Sequence, residues 1–329
     1  MIKNRCLLVG VICASVVLLL IVKAIVKSFL LARRLPKWWN RKRVLLTGAS
    51  TGIGEQIAYI LAKFDCDYII TARRKKELDD VARKCNEIIK AQGGQGRCIS
   101  LVADQSKEEN IHRAVDFTLK ELGGLDVLLL NAAETYFRPF DTLNSRESLD
   151  LAHLIMNTNY FAMLTYYRDL LPELRRTQGT MLIVSSLSGR SGSPFSPFYS
   201  ASKAALNAFV EGVSQEREDG VNLCVALPGT VATQICLDNI GQKFYDSGMA
   251  ADLCARKILE TPVKRKQFSI LPIEGYVQQP LNMLAPKLYR LASKMVLPSY
   301  DEIMQVHPQW SNQIPDLNAV STGSNKKVE

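Results

Sequence analysis

With 329 residues and a hydrophobic fraction of 47%, the chain is long enough to bury a substantial core in one large domain or two small ones. Ten of its 41 basic residues and none of its 32 acidic residues lie in residues 1–43, so the net charge of +9 belongs to that segment and a nucleic-acid partner is not expected. Eight cysteines without paired metal-ligand spacing and three separate histidines indicate free thiols and no metal site.

The chain begins with a membrane signal. Residues 6–22 form an uncharged run of 17 residues, which spans roughly 25 Å as a helix. Lys23 and Lys27 could snorkel and let the apolar stretch continue, and Trp38 and Trp39 suit a membrane interface. We predict an uncleaved, single-pass N-terminal transmembrane helix; a cleaved signal peptide is the alternative, although the run is long for one. Because positive charge is concentrated after the run, we expect the following domain in the cytosol, with a lumenal domain as the alternative.

Short apolar strands then alternate with longer helices. We predict strands at residues 43–47, 68–71, 98–102, 127–130, 180–185 and 221–226, and helices at residues 55–64, 75–92, 106–122, 146–171 and 201–218. Strands without polar alternation, each followed by a helix, are typical of a parallel sheet covered on both faces. The sequence therefore predicts the α/β class, with one doubly wound parallel-sheet domain over residues 40–275 after an anchor and basic flank at residues 1–39.

The C-terminal part has a different composition. Residues 276–307 form a predicted helical extension, in which residues 276–300 are apolar with interleaved basic side chains. This segment could lie in a membrane interface, or pack as a domain or homodimer helix. Residues 308–329 form a polar tail that ends in Lys-Lys-Val-Glu. The ending resembles the dilysine retrieval signal of endoplasmic-reticulum membrane proteins and predicts that location, with a merely solvated tail as the alternative.

A glycine-rich turn joins the first predicted strand to the first helix of the domain. The segment reads Thr-Gly-Ala-Ser-Thr-Gly-Ile-Gly over residues 47–54. Gly48 allows the tight turn, and Gly52 and Gly54 let the backbone approach a pyrophosphate at the helix N-terminus, where free N–H groups attract anions. The context of strand, turn and helix predicts a dinucleotide site.

The end of the second strand indicates which dinucleotide binds. An acidic residue there would bind a ribose 2′-hydroxyl and repel a 2′-phosphate, but this chain has Arg73 and Arg74. Two guanidinium groups suit a phosphate dianion, so NADP(H) is favoured over NAD(H). The alternative is a charge cluster at the entry of the next helix.

Four polar residues form the predicted catalytic group: Asn159, Ser186, Tyr199 and Lys203. Tyr199 and Lys203 are four residues apart, which places them on one face of a helix. A nearby ammonium favours the phenolate, so we expect Lys203 to lower the pKa of Tyr199 toward the working range of a proton donor. An ordinary exposed pair is the alternative, and the glycine turn upstream argues against it.

These motifs together resemble the short-chain dehydrogenase/reductase family over about residues 42–240, and most of all its membrane-bound branch of 11-beta-hydroxysteroid dehydrogenases and related microsomal reductases. The resemblance implies a Rossmann domain. It also implies cofactor contacts in the glycine turn and in later loops, at Gly48, Ser50, Thr51, Gly52, Ile53, Gly54, Arg73, Arg74, Asp104, Asn131, Tyr199, Lys203, Pro228, Gly229, Val231 and Thr233. The chain departs from the family pattern at Leu130 and Ala133, and at Thr51, where many NADP-preferring members carry Lys or Arg.

The resemblance also implies roles for the predicted catalytic group. Tyr199 would donate a proton to a carbonyl, Ser186 would bind the carbonyl oxygen, and Lys203 would hold the nicotinamide ribose. Asn159 would hold a water that links Lys203 to solvent. The implied activity is the NADP(H)-dependent interconversion of a ketone or aldehyde and an alcohol.

The substrate is the least defined part of the prediction. Residues 187–198 and 234–250 are rich in apolar side chains, which favours a small hydrophobic substrate such as a steroid, a retinoid or another lipid. Alternatively, these side chains only pack on the sheet. The alternative function is a membrane-tethered binding or scaffold protein that keeps the fold without catalysis.

Overall fold

A computed structural model of the chain describes residues 2–216, 220–272 and 275–313. The predicted dilysine ending and most of the predicted polar tail lie outside these residues. The side chains of residues 2–17, which carry most of the predicted membrane-spanning run, are likewise outside the description.

A parallel sheet of seven strands forms the centre of the domain, in the order β3-β2-β1-β4-β5-β6-β9. Its strands, in chain order, are β1 Arg43–Thr47, β2 Asp67–Ala72, β3 Arg97–Val102, β4 Val127–Leu130, β5 Thr180–Val184, β6 Asn222–Leu227 and β9 Phe268–Ile270. Between β6 and β9 in the chain, β7 Val231–Ala232 and β8 Met249–Ala250 form a small separate pair. The order reverses between β1 and β4, so the crevice at their carboxyl ends is where such sheets bind ligands. The predicted fold class is confirmed, and β9 is a seventh strand that the sequence did not predict.

Helices pack on both faces of the sheet. They are α1 Ile2–Trp39, α2 Gly52–Lys63, α3 Lys75–Ala91, α4 Glu108–Leu122, α5 Ser145–Met156, α6 Ala162–Thr177, α7 Pro197–Gln215, α8 Gln234–Ile240, α9 Gln242–Ser247, α10 Ala251–Val263, α11 Gly275–Leu284, α12 Pro286–Val296 and α13 Tyr300–Val306. One face carries α2, α3 and α10, and the other carries α4, α6 and α7. The central strands β4 and β5 are buried along their whole length, and their side chains are almost all apolar.

The end of α1 belongs to the core of the domain. Trp39 is fully buried, and its indole N–H donates a hydrogen bond to the Leu259 carbonyl at 2.9 Å. Leu35, one turn earlier, is only 2% exposed, and the Trp38 ring packs edge-on against Trp39 with centroids 4.8 Å apart. The prediction that Trp39 lies in a membrane interface was therefore wrong, because this side chain fills the space between α1 and α10.

Within the part of the chain that the structure describes, no helix combines the length and the apolar character needed to cross a membrane. The predicted anchor at residues 1–39 stays a prediction, since most of its apolar run lies where side chains are not described.

A small separate hydrophobic cluster joins three C-terminal helices. Ile303 of α13 is fully buried and packs with Cys236, Ile240 and Phe244 of α8 and α9. Lys243 forms an ion pair with Glu302 of α13 at 2.5 Å. We call α8, α9 and α13 together the cap.

Candidate functional site

Backbone crowding makes glycine necessary in the turn between β1 and α2. Gly48 has a positive φ of 71°, and a Cβ at this position would lie 2.5 Å from the Cα of Ala132. A Cβ on Gly54 would collide with the Gly48 carbonyl. The Asn131 side-chain amide donates to the carbonyls of Thr47 and Gly48 at 3.2 and 3.0 Å, which fixes the turn from the β4 side. The predicted glycine turn therefore has the tight geometry that brings backbone N–H groups close to a pyrophosphate.

The N-terminus of α2 lies at this turn without a side-chain cap. Thr51 is at the N-cap position, but its hydroxyl does not bind the first turn of the helix. Instead the hydroxyl accepts a hydrogen bond from Arg74 at 2.7 Å, and the same guanidinium nitrogen lies 3.2 Å from the Ser50 hydroxyl. A positive charge thus sits directly beside the glycine turn. Arg74 supplies at Thr51 the cation that the family pattern often places at position 51 itself.

Arg73 has a different environment from Arg74. Its guanidinium is bound by the carboxylate of Glu134 at 3.0 Å, just beyond the end of β4. An arginine already paired with a carboxylate has less to gain from a phosphate. The two predicted phosphate-binding arginines are therefore unequal, and Arg74 is the better placed of the two.

Most of the other predicted cofactor residues lie in segments that follow strands of the sheet. Asp104 follows β3, and its carboxylate accepts hydrogen bonds from the backbone and hydroxyl of Ser106 at 3.1 and 2.8 Å. Thr233 caps the start of α8, and its methyl carbon would lie 3.4 Å from a Cβ on Gly52. The Pro228 carbonyl accepts the N–H of Leu187 at 2.9 Å, so the loop before α8 is tied to the end of β5. Ile53, Gly229 and Val231 lie in these same segments.

Asn159 lies in a single π-helical turn, Asn157–Phe161, that separates α5 from α6. The sequence predicted one uninterrupted helix here. Such a turn inserts one residue into the helical repeat and is often found at functional sites. Asn159 is fully buried, and its amide both accepts from the Glu134 N–H at 2.7 Å and donates to the Glu134 carbonyl at 2.8 Å. The amide also donates to the Ser202 hydroxyl at 3.0 Å, which links α7 to the segment after β4.

The remaining three residues of the predicted catalytic group meet at the end of β5. Ser186 follows the strand, is 8% exposed and accepts the Ser188 N–H at 3.1 Å. Tyr199 and Lys203 both project from α7, and the Lys203 ammonium nitrogen is 5.6 Å from the centre of the Tyr199 ring. That nitrogen donates to the Val184 carbonyl at 2.9 Å and is almost completely buried. The structure therefore brings the predicted group together.

The pKa values of Tyr199 and Lys203 differ from the prediction. Burial raises the pKa of Tyr199 to about 12, and the hydrogen bond with Ser186 offsets only part of that rise. Burial also lowers the pKa of Lys203 to about 7. The expectation that Lys203 lowers the pKa of Tyr199 was wrong. Burial removes water from both side chains, which disfavours the phenolate of Tyr199 and the ammonium of Lys203. At neutral pH Tyr199 is therefore protonated, and burial disfavours the charged form of the neighbouring Lys203.

One residue beside the site escaped the sequence analysis. Tyr136 lies beyond β4. Its ring stacks on the ring of Phe198, the residue immediately before Tyr199, with centroids 5.7 Å apart. Its hydroxyl is buried and has no hydrogen-bond partner among the described residues. Burial raises the pKa of Tyr136 to about 12, so the hydroxyl stays a donor. The only sequence signal was a tyrosine just past the carboxyl end of a strand that neighbours the glycine turn.

In the apolar segments predicted to hold the substrate, some side chains are buried in the cap and others are exposed. Phe195 has a positive φ of 63°, which is rare outside glycine and sharply turns the loop before α7. Phe195 packs against the cap, where Ile240 and Phe244 are buried. By contrast, Ile235 is 50% exposed on the open side of α8. Part of the predicted substrate lining therefore serves as the core of the cap.

Comparison with known proteins agrees with the site. The family described as short chain dehydrogenase matches residues 42–240, more than half of the chain. A hydroxysteroid 11-beta-dehydrogenase 1-like protein of Gallus gallus is 34% identical over 66% of this chain and 74% of its own length. The 11-beta-hydroxysteroid dehydrogenase 1A of Arabidopsis thaliana is 34% identical over 78% of this chain and 75% of its own length.

Solved structures share the architecture. An alcohol dehydrogenase of Thermococcus sibiricus, complexed with 5-hydroxy-NADP, has a TM-score of 0.58 and 25% identity over 70% of this chain and 95% of its own. A short chain dehydrogenase/reductase of Burkholderia phymatum in complex with NAD has a TM-score of 0.67 and 16% identity over 76% of this chain and 95% of its own. The second likeness concerns the fold alone.

Proposed function

The chain belongs to the short-chain dehydrogenase/reductase family, and we propose that it is an NADP(H)-dependent enzyme that interconverts a carbonyl and an alcohol on a hydrophobic substrate. The observation that carries the proposal is the meeting of Ser186, Tyr199 and Lys203 at the end of β5, beside a glycine turn built for a dinucleotide. A bound nicotinamide dinucleotide supplies the hydride for reduction and accepts it in oxidation.

Proton transfer is assigned to Tyr199. In reduction its hydroxyl gives a proton to the carbonyl oxygen as the carbon becomes an alcohol carbon. The Ser186 hydroxyl hydrogen-bonds the same oxygen and stabilises negative charge that develops there. A protonated Lys203 stabilises the phenolate left on Tyr199, and the amide of Asn159 holds the segment after β4 against α7. Because burial raises the pKa of Tyr199 to about 12, its hydroxyl is protonated at neutral pH and holds the proton that reduction requires.

The preference for NADP(H) rests on Arg74. Its guanidinium lies on the Thr51 and Ser50 hydroxyls, at the edge of the glycine turn where a ribose 2′-phosphate would face the protein. Charge-assisted hydrogen bonds to a phosphate are the stronger kind, so one well-placed arginine is enough for a preference. Asp104, Asn131, Pro228, Gly229 and Thr233 would line the rest of the cofactor. NAD(H) is the less favoured alternative.

The hydrophobic substrate is supported by the apolar surroundings of Tyr199 and by the hydroxysteroid dehydrogenase names of the relatives. A steroid or another lipid alcohol would fit between the Phe198 segment and the cap. The buried Tyr136 hydroxyl offers such a substrate a second polar contact.

A membrane location is part of the proposal. Beyond the apolar N-terminal run, α11 and α12 expose large apolar side chains: Val277 at 66%, Met283 at 84%, Leu284 at 81% and Leu291 at 63%. Exposed apolar surface of this size is typical of an interaction surface, which favours a membrane interface or a homodimer contact over internal packing. We propose an N-terminal anchor in the endoplasmic reticulum membrane with the catalytic domain in the cytosol. Protease protection in sealed microsomes tests the orientation.

The proposal is tested by a screen of lipid ketones, aldehydes and alcohols against the purified full chain, with NADPH, NADH and their oxidised forms. Nicotinamide fluorescence reports binding and absorbance reports turnover. We expect turnover of an apolar carbonyl with NADPH. Cofactor binding without turnover of any member would contradict the enzyme assignment and favour a catalytically silent binding or scaffold protein.

A further inference from the structure

A groove of about 400 Å³ lies between the C-terminal half of α1 and the end of α10, far from the catalytic group along the chain. Val26 and Leu30 of α1 form one wall, and Val263 of α10 forms part of the other. Since Leu35 and Trp39 are buried in the domain, the groove is fixed where α1 leaves the core.

The rim of the groove is strongly basic. Lys23, Lys27 and Arg34 of α1 face Lys264 and Lys266, which follow α10. Among the described residues, no acidic side chain lines the groove. Lys264 is bound to Glu260 at 2.8 Å, which leaves four lining cations without a carboxylate within ion-pair distance in that part of the chain. A cluster of like charges on one surface attracts an anion.

We infer that this groove binds an anionic phospholipid, with the phosphate head group on the basic rim and an acyl chain along the apolar wall. The combination of a cationic rim and an apolar wall matches a molecule that carries both features. An acidic peptide would satisfy the charges and leave the apolar wall without a partner.

The surroundings of the groove point to the same occupant. Immediately beside it, α1 exposes a run of apolar side chains that includes Leu18, Ile25 and Phe29, each more than half exposed. A lipid surface that covers this run brings its head groups level with Lys23 and Lys27. The inference does not depend on the oxidoreductase activity, since no residue of the groove belongs to the catalytic or cofactor site.

The test uses the full chain in a neutral detergent. Native mass spectrometry counts the lipids retained during titration with dioleoyl phosphatidic acid or dioleoyl phosphatidylcholine, and inorganic phosphate serves as a competitor. The variant Lys264→Gln/Lys266→Gln removes two rim charges on the domain side and leaves α1 intact. Its matched control is Lys90→Gln/Lys120→Gln, two exposed lysines near the ends of α3 and α4.

We expect one phosphatidic acid to be retained per chain, bound at least about tenfold more tightly than phosphatidylcholine, since each basic residue near an anionic surface contributes measurably. The groove variant should lose that preference by about tenfold, and the control should keep it. Equal retention of both lipids, an unchanged groove variant, or full displacement by inorganic phosphate would overturn the inference. Unchanged NADPH fluorescence in both variants confirms that they fold.

Discussion

At the cofactor edge, Gly48 and Gly54 form a tight backbone turn after β1, and the side-chain amide of Asn131, after the neighbouring strand β4, donates to the Gly48 carbonyl. The cap is assembled differently, because His307 reaches the Asn239 carbonyl at 3.1 Å across 68 residues of chain and Ile303 packs on α8 and α9. A nucleotide site can therefore be fixed by a short motif, whereas the substrate side depends on side-chain packing between distant segments. The catalytic group lies between the two regions, and Lys203 is its most deeply buried charge.

The first prediction tests that burial. In the folded protein the pKa of Lys203 is about 7, below its unfolded value of about 10.4, so the unfolded chain binds more protons between these pH values. Stability contributed by this group therefore rises with pH through that window. We therefore expect the unfolding free energy of the wild type to rise by about 2–3 kcal/mol relative to that of Lys203→Met from pH 7.5 to 9.5.

Urea denaturation in neutral detergent measures this difference. Buried thiols such as Cys224, whose pKa burial raises to about 12, oppose the trend in each protein, and taking the difference cancels them. Tyr199 does not interfere, since its folded pKa of about 12 lies above the window. A difference that is independent of pH would mean that Lys203 is hydrated.

The second prediction concerns Ser186, on the catalytic side of the comparison. Replacing Ser186 with Ala removes a hydrogen-bond donor from the developing oxyanion and should lower kcat by about 10²–10³. Binding of NADPH should not change. The matched control is Ser188→Ala, whose hydroxyl pairs with Ser193 at 2.7 Å and which we expect to stay within a few-fold of wild type. Equal losses in both variants would point to damage of the whole turn.

The third prediction separates two adjacent arginines at the cofactor edge. Arg74→Ala should raise the KM for NADPH by about tenfold or more and leave the KM for NADH nearly unchanged, since only NADPH carries the 2′-phosphate. Arg73→Ala should have a smaller effect, because Glu134 already binds that guanidinium. Initial rates with each cofactor measure both. An equal loss with NADH would show that Arg74 holds the turn and not the phosphate.

The smallest expected effect contrasts the two regions directly. Ile303→Val in the cap and Ile57→Val in α2 each remove one methylene from a fully buried site and should cost about 1 kcal/mol of stability. We expect only Ile303→Val to change the KM for the carbonyl substrate, by a few-fold. If both variants change it equally, the cap does not form the substrate side of the site.

Much of the fold could be read from the sequence because its strands are short apolar runs followed by amphipathic helices. Residues 127–130 were predicted with the bounds that β4 has. The three-residue strand β9 was missed, because Phe268–Ile270 is too short and contains a serine. Trp39 was assigned to a membrane interface because its partner, Leu259, lies 220 residues away and no local pattern reveals it.

The prediction of the site, like that of the fold, failed where contacts between distant segments decide the outcome. Motif spacing predicted that Tyr199 and Lys203 share one face of a helix, and both project from α7. The direction of the pKa of Tyr199 depends on how much water the fold removes, and sequence carries no measure of that. The unequal roles of Arg73 and Arg74 likewise depend on Glu134, a residue 61 positions further along whose contact only the fold creates.

The central claim is that Tyr199 is the proton donor of a working oxidoreductase site, and a paired measurement on Tyr199→Phe tests it most directly. NADPH fluorescence gives cofactor affinity, and NADPH consumption with the best carbonyl from the screen gives turnover. The account predicts unchanged affinity and a loss of turnover of at least about 10²-fold, because the substitution removes the phenolic hydroxyl that donates the proton and keeps the ring. Turnover retained at the wild-type level would contradict it.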